Sequence, residues 1–279
     1  MELQSTSTRR FVGQWMGQVM TTFTTEDRES ATLANRITAW IKDYAESAGI
    51  KSLVVGVSGG IDSAVVSTLC ARTGIHTIAV ALPIRQRDDL HNLSLDHCFW
   101  LGAEFPNVRT EIVNLTSTFD RFEEIMGNYS SELAFANSRS RLRMMALYQI
   151  AQSCTGIVVG TGNRVEDFGV GFFTKYGDGG VDISPIADLM KTEVWQLGRE
   201  LGVGQAIIDA APTDGLWEDG RVDQDQLGGL SYAELETAMS HDENNTVPKT
   251  DAEAMALYQY RKIRARNLHK MQPIPVFKK

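Results

Sequence analysis

The run Leu53-Val54-Val55-Gly56-Val57 leads directly into Ser58-Gly59-Gly60-Ile61-Asp62-Ser63, and helical periodicity begins at Asp62. A short run with no polar position predicts a strand buried on both faces. A sheet covered by helices on each side offers such burial, and the alternation of strands with helices that follows points to an α/β architecture. Further apolar runs predict strands at 77–82, 110–115 and 157–159. Leu33, Ile37, Ile41, Tyr44 and Ala48 line one helical face that Gly49 ends. More helices are expected at 90–101, 131–153, 191–201 and 252–268, and Ser231 to Glu234 is a capping box opening another. Strands alternating with helices imply parallel pairing. The expected fold is a doubly wound, mostly parallel, five-stranded sheet with helices on both faces, four of whose strands are these.

The chain has 279 residues, 43% of them hydrophobic and 22% charged, enough for one large domain with a substantial core. Residues 1–30 read as an N-terminal arm with a short helix at 11–20, and 31–279 as a single domain. The acidic, glycine-rich stretch 215–229 reads as a mobile loop. A net charge of −8 argues against a nucleic-acid partner. No apolar run approaches membrane-spanning length and the N-terminus has no signal-peptide core, so no membrane partner is expected and the cytoplasm is the default location. Cys70, Cys98 and Cys154 form no CxxC pair and read as small buried thiols.

In an open parallel sheet, ligands bind beyond the carboxyl ends of the strands, where the Ser58–Ser63 loop lies. Glycines permit a close backbone approach, and successive amides at a helix N-terminus cradle phosphate oxygens. Ser58 and Ser63 can add hydroxyl hydrogen bonds, and Asp62 can hold a magnesium ion against phosphates. Neither a GxxxxGK[ST] loop nor a GxGxxG fingerprint is present. The plainer reading is a glycine-rich strand-to-helix turn, which the adjoining buried strand and the Asp-Ser pair disfavour.

The string SGGIDS resembles the pyrophosphate-binding loop of the N-type ATP pyrophosphatases, which cleave ATP between the α and β phosphates and transfer AMP to an oxygen. Gly160-Thr161-Gly162-Asn163, Glu166-Asp167 and Gly171-Phe172-Phe173-Thr174-Lys175-Tyr176-Gly177-Asp178-Gly179-Gly180-Val181-Asp182 follow. This segment, continuing through Ser184-Pro185 to Lys191, closely resembles the one that distinguishes NAD synthetases within that superfamily. The resemblance implies an adenine nucleotide alpha hydrolase-like fold. It implies ATP binding by Gly56, Val57, Ser58, Gly59, Gly60, Ile61, Asp62, Ser63, Thr161, Lys191 and Thr213. It implies magnesium at Asp62 and Glu166, and contacts to deamido-NAD from Arg141, Lys175, Asp182, His269 and Lys270. Gln86 is a weaker match to an adenine contact.

The activity implied is ATP-dependent amidation of deamido-NAD to NAD by ammonia, through an acyl-adenylate, with release of AMP and pyrophosphate. This would be the last step of NAD biosynthesis, carried out by a homodimer. No residue is assigned as a nucleophile, because positioning and charge neutralisation suffice. Glutamine-dependent relatives carry an additional glutaminase domain, for which residues 1–57 ahead of the loop leave no room, so free ammonia is the expected donor. Taken singly, these residues have plainer readings. Lys175 and Lys191 could be solvated charges, Arg139 and Arg143 could pair with helix acids, and His269 could complement a helix C-terminus. Another amide-forming ATP pyrophosphatase of the GMP synthetase kind and a non-catalytic adenine-nucleotide-binding protein stay open as alternatives. A second-substrate site disfavours the latter.

Overall fold

The computed structural model describes residues 32–217 and 221–279, so the expected arm at 1–30 and its helix at 11–20 lie outside the described residues. Helix α1 (Leu33–Ser47) is capped by the Thr32 side chain, which accepts from the Asn35 amide. Then come β1 (Ser52–Gly56), α2 (Ile61–Arg72), β2 (His76–Ala81), α3 (Asp88–Glu104), β3 (Val108–Ile112), α4 (Thr116–Ile125), α5 (Glu132–Ser153) and β4 (Gly156–Val158). A π-helical segment, Arg164–Val170, precedes α6 (Lys191–Glu200), α7 (Gln205–Ile208), α8 (Asp223–Gln226), α9 (Tyr232–Asn244) and α10 (Asp251–Met271). Ser231 and Glu234 form the expected capping box at the start of α9.

The strands are all parallel and ordered β3-β2-β1-β4, with Ser52 paired to His76 on one side and to Gly156 on the other. The chain winds outward from β1 through β2 to β3, then returns across the sheet to place β4 on the opposite flank of β1. Strand order therefore reverses between β1 and β4. The crevice beyond their carboxyl ends is the ligand-binding position of such sheets, and the Ser58–Ser63 loop and Gly160 both lie there.

Side-chain alternation explains the apolar run. Leu53 and Val55 pack with α1, α2, α6 and α7, whereas Val54 joins Ile78, Val80 and Val158 beneath α5. Helix α2 is buried almost all round, because α1, α3 and α6 enclose it against the sheet. A second apolar cluster is built from Val165, Val170, Leu227, Leu230, Leu235, Met239, Leu257, Tyr260 and Ile263. It seats α9 and α10 against the π-helical segment.

Four strands form where five were expected. The place of a fifth, beside β4, is taken by a single parallel bridge between Val159 and Ile183. Asp182 explains the interruption: its carboxylate accepts from the Val158 amide at 2.7 Å, where a neighbouring strand would offer a carbonyl. Pro185 follows without an amide to continue the ladder. β3 begins two residues earlier than expected, and α4 was not foreseen. Residues 215–217 and 221–229 include α8, and Leu227 is fully buried despite the polar composition of the stretch. Cys70 and Cys98 are buried thiols, and burial pushes the Cys98 pKa up to about 11.

His97 is buried on α3, its Nε2 3.0 Å from Ser67 Oγ on α2. Ser67 already donates to the Ser63 carbonyl at 2.7 Å, so the imidazole is the donor to Ser67. Burial depresses the His97 pKa to about 4. Between about pH 6.5 and 4 the unfolded chain therefore takes up a proton that the folded chain refuses. Stability falls as pH falls through that window, by about 3 kcal/mol when complete. Urea unfolding at pH 7 and pH 4.5 should show a smaller loss in His97→Gln than in the parent chain; equal losses would remove His97 as the source.

Candidate active site

The loop after β1 is held in shape before any ligand arrives. Ser58 N–H donates to Ser63 Oγ at 3.1 Å, Ser63 Oγ donates to the Gly60 carbonyl at 2.9 Å, and Gly60 N–H donates to Ser58 Oγ at 3.2 Å. Gly59 has φ +90°, and a Cβ there would meet the Leu90 carbonyl oxygen at 2.6 Å. Only glycine lets the loop pass beneath the first turns of α3. Ser94 on α3 tightens the packing by donating to the Val57 carbonyl at 2.7 Å.

Three residues far apart in sequence meet beside this loop. Lys191, the first residue of α6, is buried with its ammonium 2.5 Å from Asp62 Oδ2 and 2.8 Å from Glu166 Oε1. Asn163 donates to Asp62 Oδ1 at 3.1 Å, and Tyr232 Oη lies 2.5 Å from Glu166 Oε1. The Lys191 ammonium also lies 4.9 Å from the centre of the Tyr232 ring. Burial alone would deprotonate Lys191, but the charges of Asp62 and Glu166 outweigh it and hold the lysine above its ordinary range. Burial raises Asp62 against the pull of Lys191. Desolvation also raises Glu166, which is only partly exposed, yet the Lys191 charge and donors from Lys191, Tyr232 and Asn163 bring it below the ordinary carboxylate range.

The π-helical turn places Glu166 and Asp167 side by side on the same cavity. Asn163 starts the turn by accepting from the Glu166 amide at 3.1 Å, and Gly171 ends it in the left-handed conformation. Burial and the nearby Asp178 push Asp167 well above the carboxylate range. Asp178 is fastened to α5, where Ser140 Oγ donates to its Oδ1 at 2.7 Å. A Cβ on Gly177 would collide with Ser140 as well, so the string 171–182 folds as a compact plug against α5. Asp223 is buried, and burial together with Glu166 pushes its pKa up to about 7.

Asp62, Glu166, Asp167, Asp178, Lys191 and Asp223 line a cavity of about 770 Å³ at the crevice. Of the residues expected from the sequence, Gly56, Val57, Ser58, Gly59, Gly60, Ile61, Asp62, Ser63, Thr161, Glu166, Lys191, Thr213, His269 and Lys270 line it, and so does Gln86. Arg141, Lys175 and Asp182 stand beside it instead. Arg141 donates to the Lys175 carbonyl at 3.3 Å, Lys175 donates to the His269 carbonyl at 3.2 Å, and Asp182 is engaged by the Val158 amide and by Tyr148 at 3.1 Å. Lys270 donates to the Phe173 carbonyl at 2.7 Å.

Arg143, for which pairing with helix acids was the plainer reading, is a half-buried cation on the cavity wall instead. It donates to the Leu82 carbonyl and to Gln86 Oε1, both at 2.9 Å, and burial lowers its pKa to about 10. Asn163, Asp178, Tyr232 and Asp223 were not singled out from sequence. Asn163 and Asp178 lay inside quoted motifs, Tyr232 was hidden in a capping box, and Asp223 was one acid among several in an acidic stretch.

Asp62 and Glu166 converge on one cationic centre through oxygen donors. That donor set suits magnesium, which commonly takes one or two carboxylates and completes its shell with phosphates and water. The nested amides, the carboxylate pair and the buried Lys191 ammonium at a strand-order reversal together define a nucleotide-using α/β protein.

The NAD synthase family profile matches residues 33–274, and the chain belongs to that family. The NH(3)-dependent NAD(+) synthetase of Alkaliphilus metalliredigens is 39% identical over 235 residues, covering 81% of this chain and 91% of that protein. The enzyme of the same name from Methanosarcina mazei is 36% identical, covering 87% of this chain and 96% of its own. Among solved structures, the NMN synthetase from Francisella tularensis superposes with a TM-score of 0.78 at 29% identity, covering 91% of this chain and 99% of that one.

Replacing Lys191 by methionine leaves two carboxylates facing each other in a buried site. Removing one partner from such a cluster costs about 3–5 kcal/mol. Thermal unfolding of Lys191→Met should show a lower Tm that millimolar magnesium raises more than it raises the parent's. A Tm unchanged from the parent would show that the lysine charge is not what balances the pair.

Proposed function

We propose that this chain is an ammonia-dependent NAD synthetase, which activates the nicotinate carboxylate of deamido-NAD with ATP and converts it to the amide. The observation that carries this reading is the Asp62–Lys191–Glu166 cluster set beside a preformed amide loop in a member of the NAD synthase family.

A carboxylate resists attack by ammonia because it is anionic and its oxygen is a poor leaving group. Attack of that oxygen on the α-phosphorus of ATP expels pyrophosphate and leaves an acyl-adenylate. Ammonia then displaces AMP. The amides of the Ser58–Ser63 loop would receive the pyrophosphate oxygens at the start of α2. Asp62 and Glu166 would hold magnesium, which when bound neutralises phosphate charge. Lys191, then less tightly claimed by its carboxylates, would turn its ammonium toward the phosphates, and Arg143 and Lys270 would add positive potential. Substrates filling the cavity would displace water and strengthen these charges, so no nucleophilic side chain is required. Arg141, Lys175 and Asp182 would reach the dinucleotide at the cavity rim, close to a subunit interface in a homodimer. Sedimentation should give twice the chain mass; a monomer under assay conditions would overturn that arrangement.

The likeness to the Francisella tularensis structure favours one narrower alternative, in which the acid amidated is the mononucleotide. One assay separates the two. Purified protein with ATP, magnesium and ammonium should form NAD, AMP and pyrophosphate from deamido-NAD, with a higher kcat/KM than for nicotinate mononucleotide. The opposite preference would make it a mononucleotide amidase, and release of ADP would sink both readings. Asp62→Ala should lower kcat/KM by about 10²–10³-fold with the far-UV circular dichroism unchanged. The chain is proposed to work in the cytoplasm, and among the described residues no helix is long and apolar enough to cross a membrane.

A further inference from the structure

Tyr232, the first residue of α9, sits between two carboxyl groups. Its oxygen is 2.5 Å from Glu166 Oε1 and 2.8 Å from Asp223 Oδ2, both hydrogen-bonding distances. A phenol carries one proton, so it satisfies one acceptor only, and the second contact needs a proton from the other side. Glu166 cannot readily bring it, because Lys191 holds that carboxylate ionised. Asp223 can. Its Oδ1 is buried with no hydrogen-bond partner among the described residues, an environment far more costly for a charged carboxylate than for the carbonyl of a neutral acid. The contacts then order themselves as Asp223 O–H to Tyr232 oxygen and Tyr232 O–H to Glu166, each polar hydrogen with one acceptor.

The backbone around Asp223 extends this chain of contacts. Its amide donates to the Pro212 carbonyl at 3.0 Å, joining the two ends of the segment that carries Thr213. Thr213 Oγ1 in turn donates to the Arg221 carbonyl at 3.1 Å and accepts from the Gly215 amide at 3.1 Å. Asp223 is therefore fastened to the cavity wall bearing Thr213 by its backbone, and to Glu166 by its side chain through one phenol.

We propose that Tyr232 and Asp223 are positioning residues that orient Glu166 toward Asp62 for metal binding and lock the Pro212–Thr213 wall of the cavity to that carboxylate. The proposal rests on the reading of Asp62 and Glu166 as the magnesium carboxylates. It takes Asp223 to act as a hydrogen-bond donor, so asparagine, whose amide also donates, should substitute for it where alanine cannot.

The test compares the parent with Tyr232→Phe, Asp223→Asn, Asp223→Ala and the Tyr232→Phe/Asp223→Ala double variant. Manganese binding in the presence of ATP is followed by electron paramagnetic resonance, and backbone amide exchange is followed at residues 223–227. Tyr232→Phe and Asp223→Ala should each weaken manganese binding about tenfold, the scale of one hydrogen bond to a charged group. Asp223→Asn should stay within about threefold of the parent, and the double variant should be no worse than the weaker single variant. Exchange at 223–227 should also quicken in Tyr232→Phe, although that substitution lies on another helix. The magnesium concentration for half-maximal turnover should rise in the same order, with kcat at saturating magnesium changing less.

Asparagine losing as much as alanine, unchanged binding and exchange in Tyr232→Phe, or losses that multiply in the double variant would each overturn the proposal. Metal binding and amide exchange are read without turnover. A parent protein that forms no NAD would therefore count against the proposed reaction, while the contact chain would still be judged on its own measurements.

Discussion

The pairing of Lys191 with Asp62 and Glu166 is the contact on which the rest of the site depends. Its three members come from the first turn of α2, the π-helical segment and the first turn of α6. Two buried carboxylates so close together would repel one another and resist folding, and one buried ammonium would be deprotonated. Together they satisfy one another, and Asn163 and Tyr232 take up further lone pairs. In the proposed reaction magnesium would take the lysine's place between the two carboxylates, freeing the ammonium for the phosphates that such a cation accompanies.

Sheet topology explains why this cluster forms where it does. Reversal of strand order between β1 and β4 opens a crevice at their carboxyl ends, and the loops leaving those two strands supply the amides and the carboxylates. The interruption beside β4 belongs to the same design. By capping the Val158 amide with the Asp182 carboxylate, the chain stops the sheet after one bridge, and residues 171–182 pack as a plug against α5. A full fifth strand would have drawn part of that plug into the sheet and away from the cavity wall.

Much of this was legible in the sequence because the signals are local. The run of valines before Ser58, the alternation of strands and helices, and the capping box at Ser231 follow from periodicity and backbone chemistry over a few residues. The site residues named from sequence lie mostly in short, dense motifs, and those at 56–63, 161, 166 and 191 line the cavity. Less accessible were groups whose role depends on what lies opposite them. Arg143, whose plainer reading was pairing with helix acids, turns to Leu82 and Gln86 where α5 lies against the sheet. Lys175 and Asp182 lie in the recognisable 171–182 segment and Arg141 on α5, but the side chains of all three are engaged by neighbours beside the cavity.

The sequence by itself determined the parallel α/β architecture, the phosphate-type loop and the family to which the chain belongs, since each is written in contiguous residues. Tertiary structure alone decided the charge state of the centre and the company each group keeps. Desolvation and Coulomb interaction depend on distance and burial in space, and neither can be read from separation along a chain. Lys191 lies 129 positions from Asp62 and 25 from Glu166. Only the fold makes them a single unit, and only the fold sets the phenol of Tyr232 between Glu166 and an acid that the sequence shows merely as one of many.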